Sequence, residues 1–310
     1  MAKFLVTGGA GFIGSNIAKK LVANGESVTI VDDLSTGRRE NIEPFLNKLK
    51  FINGDISEKN IALQATKDID YVLHQAAIPS VPRSIDNPLE TNKANVQGTL
   101  QILVAARDNK VKKVVYASSS SIYGDQDPSK AKTEKMSSLP ISPYGLQKYA
   151  GERYCQLFTE LYGLNTTCLR YFNVFGPNQD PTSEYAAVIP KFIKAILKDE
   201  QPTIYGDGKT SRDFTYVENN VEANILAATS PKGAGEVLNI AMGHSVSLLD
   251  LIEKINMLCG KNIKAKHAAE RPGDIKFSLA DISKAKKILN YKPKTSFETG
   301  LKNTIDFYKK

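Results

Sequence analysis

Thr7-Gly-Gly-Ala-Gly-Phe-Ile-Gly14 is the stretch on which the fold turns. It follows a short apolar run, Lys3–Thr7, and opens the helical pattern Phe12–Ala23. In that pattern Ile13, Ile17, Leu21 and Val22 share one side, and Asn24-Gly25 supplies the stop. Gly8, Gly11 and Gly14 fall three residues apart. Glycines so placed let the backbone turn tightly and approach a pyrophosphate lying at the helix N-terminus. Eighteen residues past Gly14, after the next strand signal at Val28–Val31, stands Asp32. A carboxylate there accepts hydrogen bonds from adenosine ribose hydroxyls and repels a 2′-phosphate, which favours NAD over NADP. Arg38 and Arg39 are the opposing signal, because arginines near this strand end can bind that phosphate.

Outward from this loop the chain alternates strand and helix. Lys50–Asn53, Asp70–His74, Lys113–Ala117 and Thr166–Tyr171 read as strands, while Thr91–Arg107 and Pro143–Tyr162 are the longest helical patterns. No hairpin dipeptide separates the early strands, so the connections are expected to be crossover helices. The fold class expected is α/β, a doubly wound parallel Rossmann sheet with a smaller α/β substrate lobe. Past residue 171 the texture changes: Gly176-Pro177, Asp180-Pro181, Pro190, Pro202 and Gly206-Asp207-Gly208 punctuate short elements. Val217–Ala228 and Leu248–Leu258 look helical and Glu236–Ile240 looks like a strand. The division expected is an NAD-binding domain over 1–170, joined by later segments near 213–242, and a mainly substrate-binding lobe over 171–310.

Composition excludes several classes. The 310 residues are 41% hydrophobic and 24% charged, which argues against disorder. No apolar run approaches the ~18 residues of a membrane span, and the first residues lack the apolar core of a secretory signal, so a cytoplasmic enzyme is expected. The formal charge of +8 comes from scattered lysines, with no Lys/Arg block that would mark a nucleic-acid face. Cys155, Cys168 and Cys259 are far apart in the chain and form no Cys-x-x-Cys pair, so neither a disulfide framework nor a metal site is expected.

The chemistry concentrates further on. Tyr144-Gly-Leu-Gln-Lys148 sets a phenol and an ammonium four residues apart on one helix face. A nearby ammonium favours phenolate and would lower the tyrosine pKa toward working pH, as a general base requires. Upstream, Ala117-Ser-Ser-Ser-Ser-Ile-Tyr-Gly124 follows a strand, so Ser119, Ser120 and Ser121 are expected at the carboxyl end of the sheet, where ligands bind. His74 reads as a structural residue at a strand end. His244 and His267 lack partners that would suggest a metal.

With these residues in view the chain resembles the extended short-chain dehydrogenase/reductase family, and within it the UDP-hexose 4-epimerases. The likeness runs through the glycine loop, Asp32-Asp33-Leu34-Ser35-Thr36-Gly37, Gly54-Asp55-Ile56, His74-Gln75-Ala76-Ala77, Asn95-Val96-Gln97-Gly98-Thr99, the serine run and Tyr144/Lys148. It continues through Tyr171-Phe172-Asn173, Ser211-Arg212-Asp213-Phe214 and Arg271-Pro272-Gly273-Asp274. The stretches His74–Pro88, Leu169–Pro181 and Tyr185–Pro190 look especially like epimerases acting on UDP-N-acetylglucosamine. The resemblance implies Ser119, Tyr144 and Lys148 as the catalytic set, with Lys148 also holding the nicotinamide ribose. It implies an NAD site formed by Gly8, Gly11, Phe12, Ile13, Gly14, the Asp32–Gly37 segment, Asp55 and Ile56 beside adenine, Gln75, Ala76, Ala77, Asn95 and Tyr171. For the UDP-sugar it implies Ser80, Ser119, Ser120, Ser121, Tyr144, Asn173, Val188, Tyr205 facing uracil, Arg212, Arg271, Asp274 and Ser278. It also implies a homodimer through the two long helices.

Relatives with the same loop run different reactions. The 4,6-dehydratases carry Asp-Glu where Ser120-Ser121 stand, and the UDP-glucuronate decarboxylases carry Glu at the position of Ser121; neither acid is present here. The sequence therefore points to NAD-dependent 4-epimerisation of UDP-N-acetylhexoses, with plain UDP-hexoses as further substrates. A dehydratase or decarboxylase of the same family and a non-catalytic NAD-binding regulator are the alternatives.

Overall fold

The computed structural model describes residues 1–127, 129–180, 187–269 and 277–309. Six strands form the first half: β1 (Lys3–Thr7), β2 (Ser27–Asp32), β3 (Lys50–Asn53), β4 (Tyr71–His74), β5 (Lys113–Ser119) and β6 (Thr166–Tyr171). The Glu236–Ile240 strand, drawn from far along the chain, joins them. Across the sheet the order is Glu236–Ile240, β6, β5, β4, β1, β2, β3, with every pairing parallel. These strands read as near-continuous apolar runs because both faces are covered. Alternate residues of β1 enter different cores: Phe4 and Val6 pack on one side with Ile17 and Leu21, Leu5 on the other with Ile102 and Leu103. Chain order reverses between β1 and β4, and the crevice beyond their carboxyl ends is where a ligand fits such a sheet.

The covering helices are α1 (Phe12–Ala23), α2 (Lys59–Thr66), α3 (Val81–Asp86), α4 (Pro88–Asn92), α5 (Gly98–Asp108) and α6 (Pro143–Tyr162). The single helix expected over Thr91–Arg107 is interrupted: Lys93–Gln97 forms a π turn joining α4 to α5. Such turns carry an extra residue and recur at functional sites; this one carries Asn95. At the head of α6, Pro143 occupies the first helical position and the Ser142 hydroxyl accepts from the Gly145 N–H at 3.1 Å. The Tyr144 N–H is met by Ser84 Oγ of α3 at 3.0 Å. The head of the helix is thereby pinned to a neighbour.

The second half holds α7 (Val188–Leu197), α8 (Val217–Thr229), α9 (Leu248–Cys259), α10 (Ser283–Leu289) and α11 (Phe297–Tyr308). Pro190, read from sequence as punctuation, lies in the first turn of α7, where a missing N–H leaves no intrahelical bond unmade. Apart from Glu236–Ile240, strands here are two or three residues long. Thr203–Tyr205 pairs with Lys266–Ala268, and Ser211–Arg212 lies between Val246–Ser247 and Phe277–Ser278. Phe175, Phe214 and Phe297 pack ring on ring beneath them. Among the described residues no helix is long and apolar enough to cross a membrane.

Candidate active site

The glycine turn is built for close approach. Gly8 has φ +64°, and a Cβ there would sit 2.7 Å from Ala76 Cα. A Cβ on Gly14 would lie 2.1 Å from the Gly8 carbonyl oxygen. Helix α1 has Gly11 at its N-cap, with no side-chain cap and no acidic residue in its first turn, so its N-terminal N–H groups are left for an anion. A cavity of about 270 Å³ opens in front of it. Its walls include Gly8, Gly11, Phe12, Ile13, Gly14, Asp32, Asp33, Ser35, Thr36, Asp55, Ile56, Gln75, Ala76, Ala77, Tyr144, Lys148 and Tyr171. This cradle, with carboxylates at one end and Tyr144/Lys148 at the other, fits a dinucleotide.

Three residues expected on that wall stand behind it. Leu34, at φ +59°, and Gly37 serve Asp32: the Leu34 N–H donates to Asp32 Oδ1 at 2.9 Å, and Gly37 packs against the same carboxylate. The Ala10 N–H donates to the other oxygen at 2.9 Å, and burial raises this carboxyl above its ordinary value. Asn95 spends its amide on the Ile78 backbone and on Gln147. Its Oδ1 accepts from Ile78 N at 2.8 Å, while Nδ2 donates to Ile78 O at 3.2 Å and to Gln147 Oε1 at 2.8 Å. Asn95 therefore shapes the wall through Ile78 rather than lining it. Arg38 is paired with Asp180 and Arg39 with Glu43, so both arginines have carboxylate partners of their own.

His74 is structural, as its place at a strand end suggests. Thr99 Oγ1 donates to the Asn95 carbonyl at 2.7 Å, which leaves it to accept from His74 Nε2 at 2.9 Å. The other ring nitrogen then accepts from Thr7 Oγ1 at 2.7 Å, and that hydroxyl accepts from Ala76 N–H at 3.1 Å. This assigns the proton to Nε2. Burial pushes the imidazole down to about 3, so it stays neutral.

Around Tyr144 the geometry corrects one expectation. Burial pushes the phenol up to about 12, opposed by a hydrogen bond with Ser119, and pushes Lys148 down to about 8. The Lys148 Nζ donates to the Ala117 carbonyl at 2.9 Å and lies 6.0 Å from the Tyr144 ring centre. Desolvation outweighs the attraction expected from four-residue spacing, because Lys148 is buried against the sheet and Tyr144 faces the cleft rather than the outer surface. Ser119 Oγ accepts from Ser121 N–H at 3.2 Å and from Ser121 Oγ at 2.9 Å. Both lone pairs are then used, and its own hydrogen is free for Tyr144 or for a ligand beside it. Ser120 stands in the same short helical turn. Ser80 caps α3, accepting from Arg83 N–H at 3.2 Å.

A second cavity, about 550 Å³, lies in the lobe, and Asn173, Val188, Tyr205 and Arg212 all line it together with Lys191 and Lys266. Asn173, at φ +35°, donates to the Asp213 carbonyl at 3.2 Å. Ser278 is 5% exposed and is the register partner of Arg212. Arg271 and Asp274 lie outside the described residues.

Several residues assigned no role from sequence hold this arrangement. Asp213, fully buried beside Arg212, accepts from the N–H groups of Met242, Gly243 and Ala280 at 2.9, 3.0 and 3.3 Å. Its own N–H donates to the Ser278 carbonyl at 2.8 Å, and burial pushes its carboxyl up to about 6. Its place in Ser211-Arg212-Asp213-Phe214 was the available signal. Ser84, Gln147 and Asn224 had none, since a polar residue on a helix declares its partner only after packing. Among the described residues no His/Cys/Asp/Glu group could hold a metal ion.

Residues 4–241 match the NAD dependent epimerase/dehydratase family. The chain is similar in structure to the UDP-N-acetylglucosamine 4-epimerase from Methanobrevibacter ruminantium M1, solved in complex with UDP-N-acetylmuramic acid: TM-score 0.94, 45% identity, 99% of this chain and 98% of that one. It is similar also to the Thermus thermophilus UDP-glucose 4-epimerase solved with NAD, at TM-score 0.90 and 34% identity over 99% of each chain. The UDP-glucose 4-epimerase of Mycolicibacterium smegmatis is 36% identical over 309 residues, 98% of either protein.

Proposed function

The chain belongs to the NAD dependent epimerase/dehydratase family, with UDP-sugar 4-epimerases as relatives and NAD as cofactor, and we propose that it interconverts UDP-N-acetylglucosamine and UDP-N-acetylgalactosamine. NAD, held by the glycine turn, the Asp32–Thr36 segment, Asp55, Ile56 and Lys148, supplies a positive ring and a reversible acceptor for the C4 hydrogen with its electron pair. Tyr144 takes the 4-hydroxyl proton as that bond becomes a carbonyl, and Ser119 donates to the same oxygen. Arg212, Asn173, Tyr205 and Val188 hold the UDP while the 4-keto sugar turns about its diphosphate link. With the C4 hydrogen and its electron pair restored on the opposite face, Tyr144 returns the proton to the 4-oxygen. Protons, electrons and cofactor all end as they began. Tyr144, its phenol pushed up, suits this role only with added positive charge near it, which Lys148 and the cofactor ring provide together.

The observation that carries the choice of sugar is Ser278, small and the register partner of Arg212, which lines the lobe cavity. A small side chain there leaves room for a 2-acetamido group, and Ser120 can offer it a hydroxyl. The absence of an acid at Ser120 and Ser121 favours epimerisation over elimination or decarboxylation. Exposed Leu89, Leu146 and Leu161, on α4 and α6, give the helices an apolar stripe that a two-fold copy would bury, which supports a homodimer. Incubation with UDP-N-acetylglucosamine or UDP-glucose without added NAD, followed by sugar analysis, is the test. Conversion of the acetylated sugar at the higher rate is expected. Turnover of plain hexoses alone, or release of a 4-keto product, would overturn it.

A further inference from the structure

Two tyrosines line the cofactor cleft, and only one can exchange a proton freely. The phenol of Tyr171, at the end of β6, donates to Gln75 Oε1 at 3.1 Å. Gln75 Nε2 donates to Asn224 Oδ1 at 3.0 Å, and Asn224 Nδ2 donates back to the Tyr171 oxygen at 2.7 Å. The ring of hydrogen bonds is closed. Its direction is set from outside, because Asn224 Nδ2 also donates to the Asn220 carbonyl at 2.7 Å. A backbone carbonyl only accepts, so it fixes which end of the Asn224 amide is NH₂. That choice forces Oδ1 toward Gln75, turns the Gln75 NH₂ toward Asn224, and leaves Gln75 Oε1 to take the Tyr171 proton. Gln75 retains one N–H, and Tyr171 retains none.

Gln75, directly after β4, and Tyr171, on β6, are cleft residues, whereas Asn224 is fully buried on α8 behind them and does not line the cleft. From this we infer that Asn224 is a positioning residue: through Gln75 and Tyr171 it sets the donor pattern of the cleft wall at the Tyr144/Lys148 end and keeps Tyr171 out of the proton chemistry. Burial holds the Tyr171 phenol well above its ordinary range, in keeping with a proton that is never released. Asn220 and Asn224 stand one helical turn apart, so the reference carbonyl and the amide it orients move as one unit with α8.

The part of this inference that concerns turnover rests on the epimerase reading; the part that concerns the cofactor does not. In the intact protein, Asn224→Leu removes the ring at similar volume. The expected result is weaker retention of NAD through gel filtration, read by absorbance. A fall in kcat of about tenfold to a hundredfold is expected with it, the range that a small misplacement at the reacting centre costs. KM for the UDP-sugar should change little, and the melting temperature should stay near that of the unmodified protein. Combined with Tyr171→Phe the losses should be non-additive, because both act through one network. Asn224→Asp keeps the shape and the acceptor toward Gln75 but has at most one donor. It should retain less NAD than the unmodified protein and more than Asn224→Leu, and it decides the matter alone if Asn224→Leu does not fold. Folded variants that hold NAD and turn over like the unmodified protein would overturn the inference. An unmodified protein inert toward every UDP-sugar would overturn the epimerase reading instead, leaving NAD retention to judge Asn224.

Discussion

The cofactor cleft and the lobe cavity are built by opposite means. In the cleft most wall segments follow directly on a strand of one parallel sheet: Gly8–Gly14 after β1, Asp32–Thr36 after β2, Asp55 and Ile56 after β3, Gln75–Ala77 after β4. In the lobe, Asn173, Val188, Tyr205, Arg212 and Lys266 come from separate short elements that meet only on folding. A sheet of long parallel strands positions its loop ends through many ladder bonds and two apolar cores. Strands of two residues cannot, so the lobe relies on point fastenings such as the Asp213 carboxylate. The lesson is that the cleft should keep its fold when one contact is lost, and the lobe should not.

The largest effect expected falls on the lobe. Ser278→Tyr should eliminate turnover of the N-acetylated pair while sparing the plain hexoses, since a phenol replaces the space for the acetamide. Comparing kcat/KM for both pairs checks it, and undiminished N-acetyl activity would remove Ser278 from the specificity role. Next comes the cleft: Tyr144→Phe should cost at least ~10²-fold in turnover, the lower end for general acid–base catalysis. Its NAD should remain bound, because the cradle is untouched; steady-state rates and cofactor absorbance report the two separately.

Asp213→Ala sharpens the contrast energetically. It strands the buried N–H groups of Met242, Gly243 and Ala280, at roughly 1 kcal/mol or more each, or about 3 kcal/mol in all. Urea unfolding should show that loss, and KM for the UDP-sugar should rise because Ser278 and Arg212 lose their clamp. An unchanged KM would mean that the short strands hold register without it.

The remaining effect is a slope. His74 is neutral in the fold down to about pH 3, whereas in the unfolded chain it takes a proton near pH 6.5. Its contribution is complete above pH 6.5 and is lost as pH falls from there toward 3, at about 1.4 kcal/mol per pH unit. Asp213 works the other way: its carboxyl is raised to about 6 in the fold, so its contribution to stability is lost as pH rises from about 4 to 6. The difference in unfolding free energy between the unmodified protein and His74→Asn cancels the Asp213 part. A flat difference between pH 6 and 4 would contradict the buried neutral imidazole.

What the sequence determined by itself was whatever is encoded locally. A glycine turn between strand and helix, an acidic strand end, and a phenol four residues from an ammonium are contiguous patterns, and each fell where its spacing placed it. Tertiary structure decided the rest. The Tyr144 pKa moved up rather than down because burial depends on what covers α6. Asn95 went behind the wall because a π turn aimed it at Ile78. The Pro190 helix formed because its proline fell in a first turn. Asn224 acquired its place only when α8 closed against β4 and β6, since the partners of an amide lie far away in sequence and hydrogen bonds act over about 3 Å.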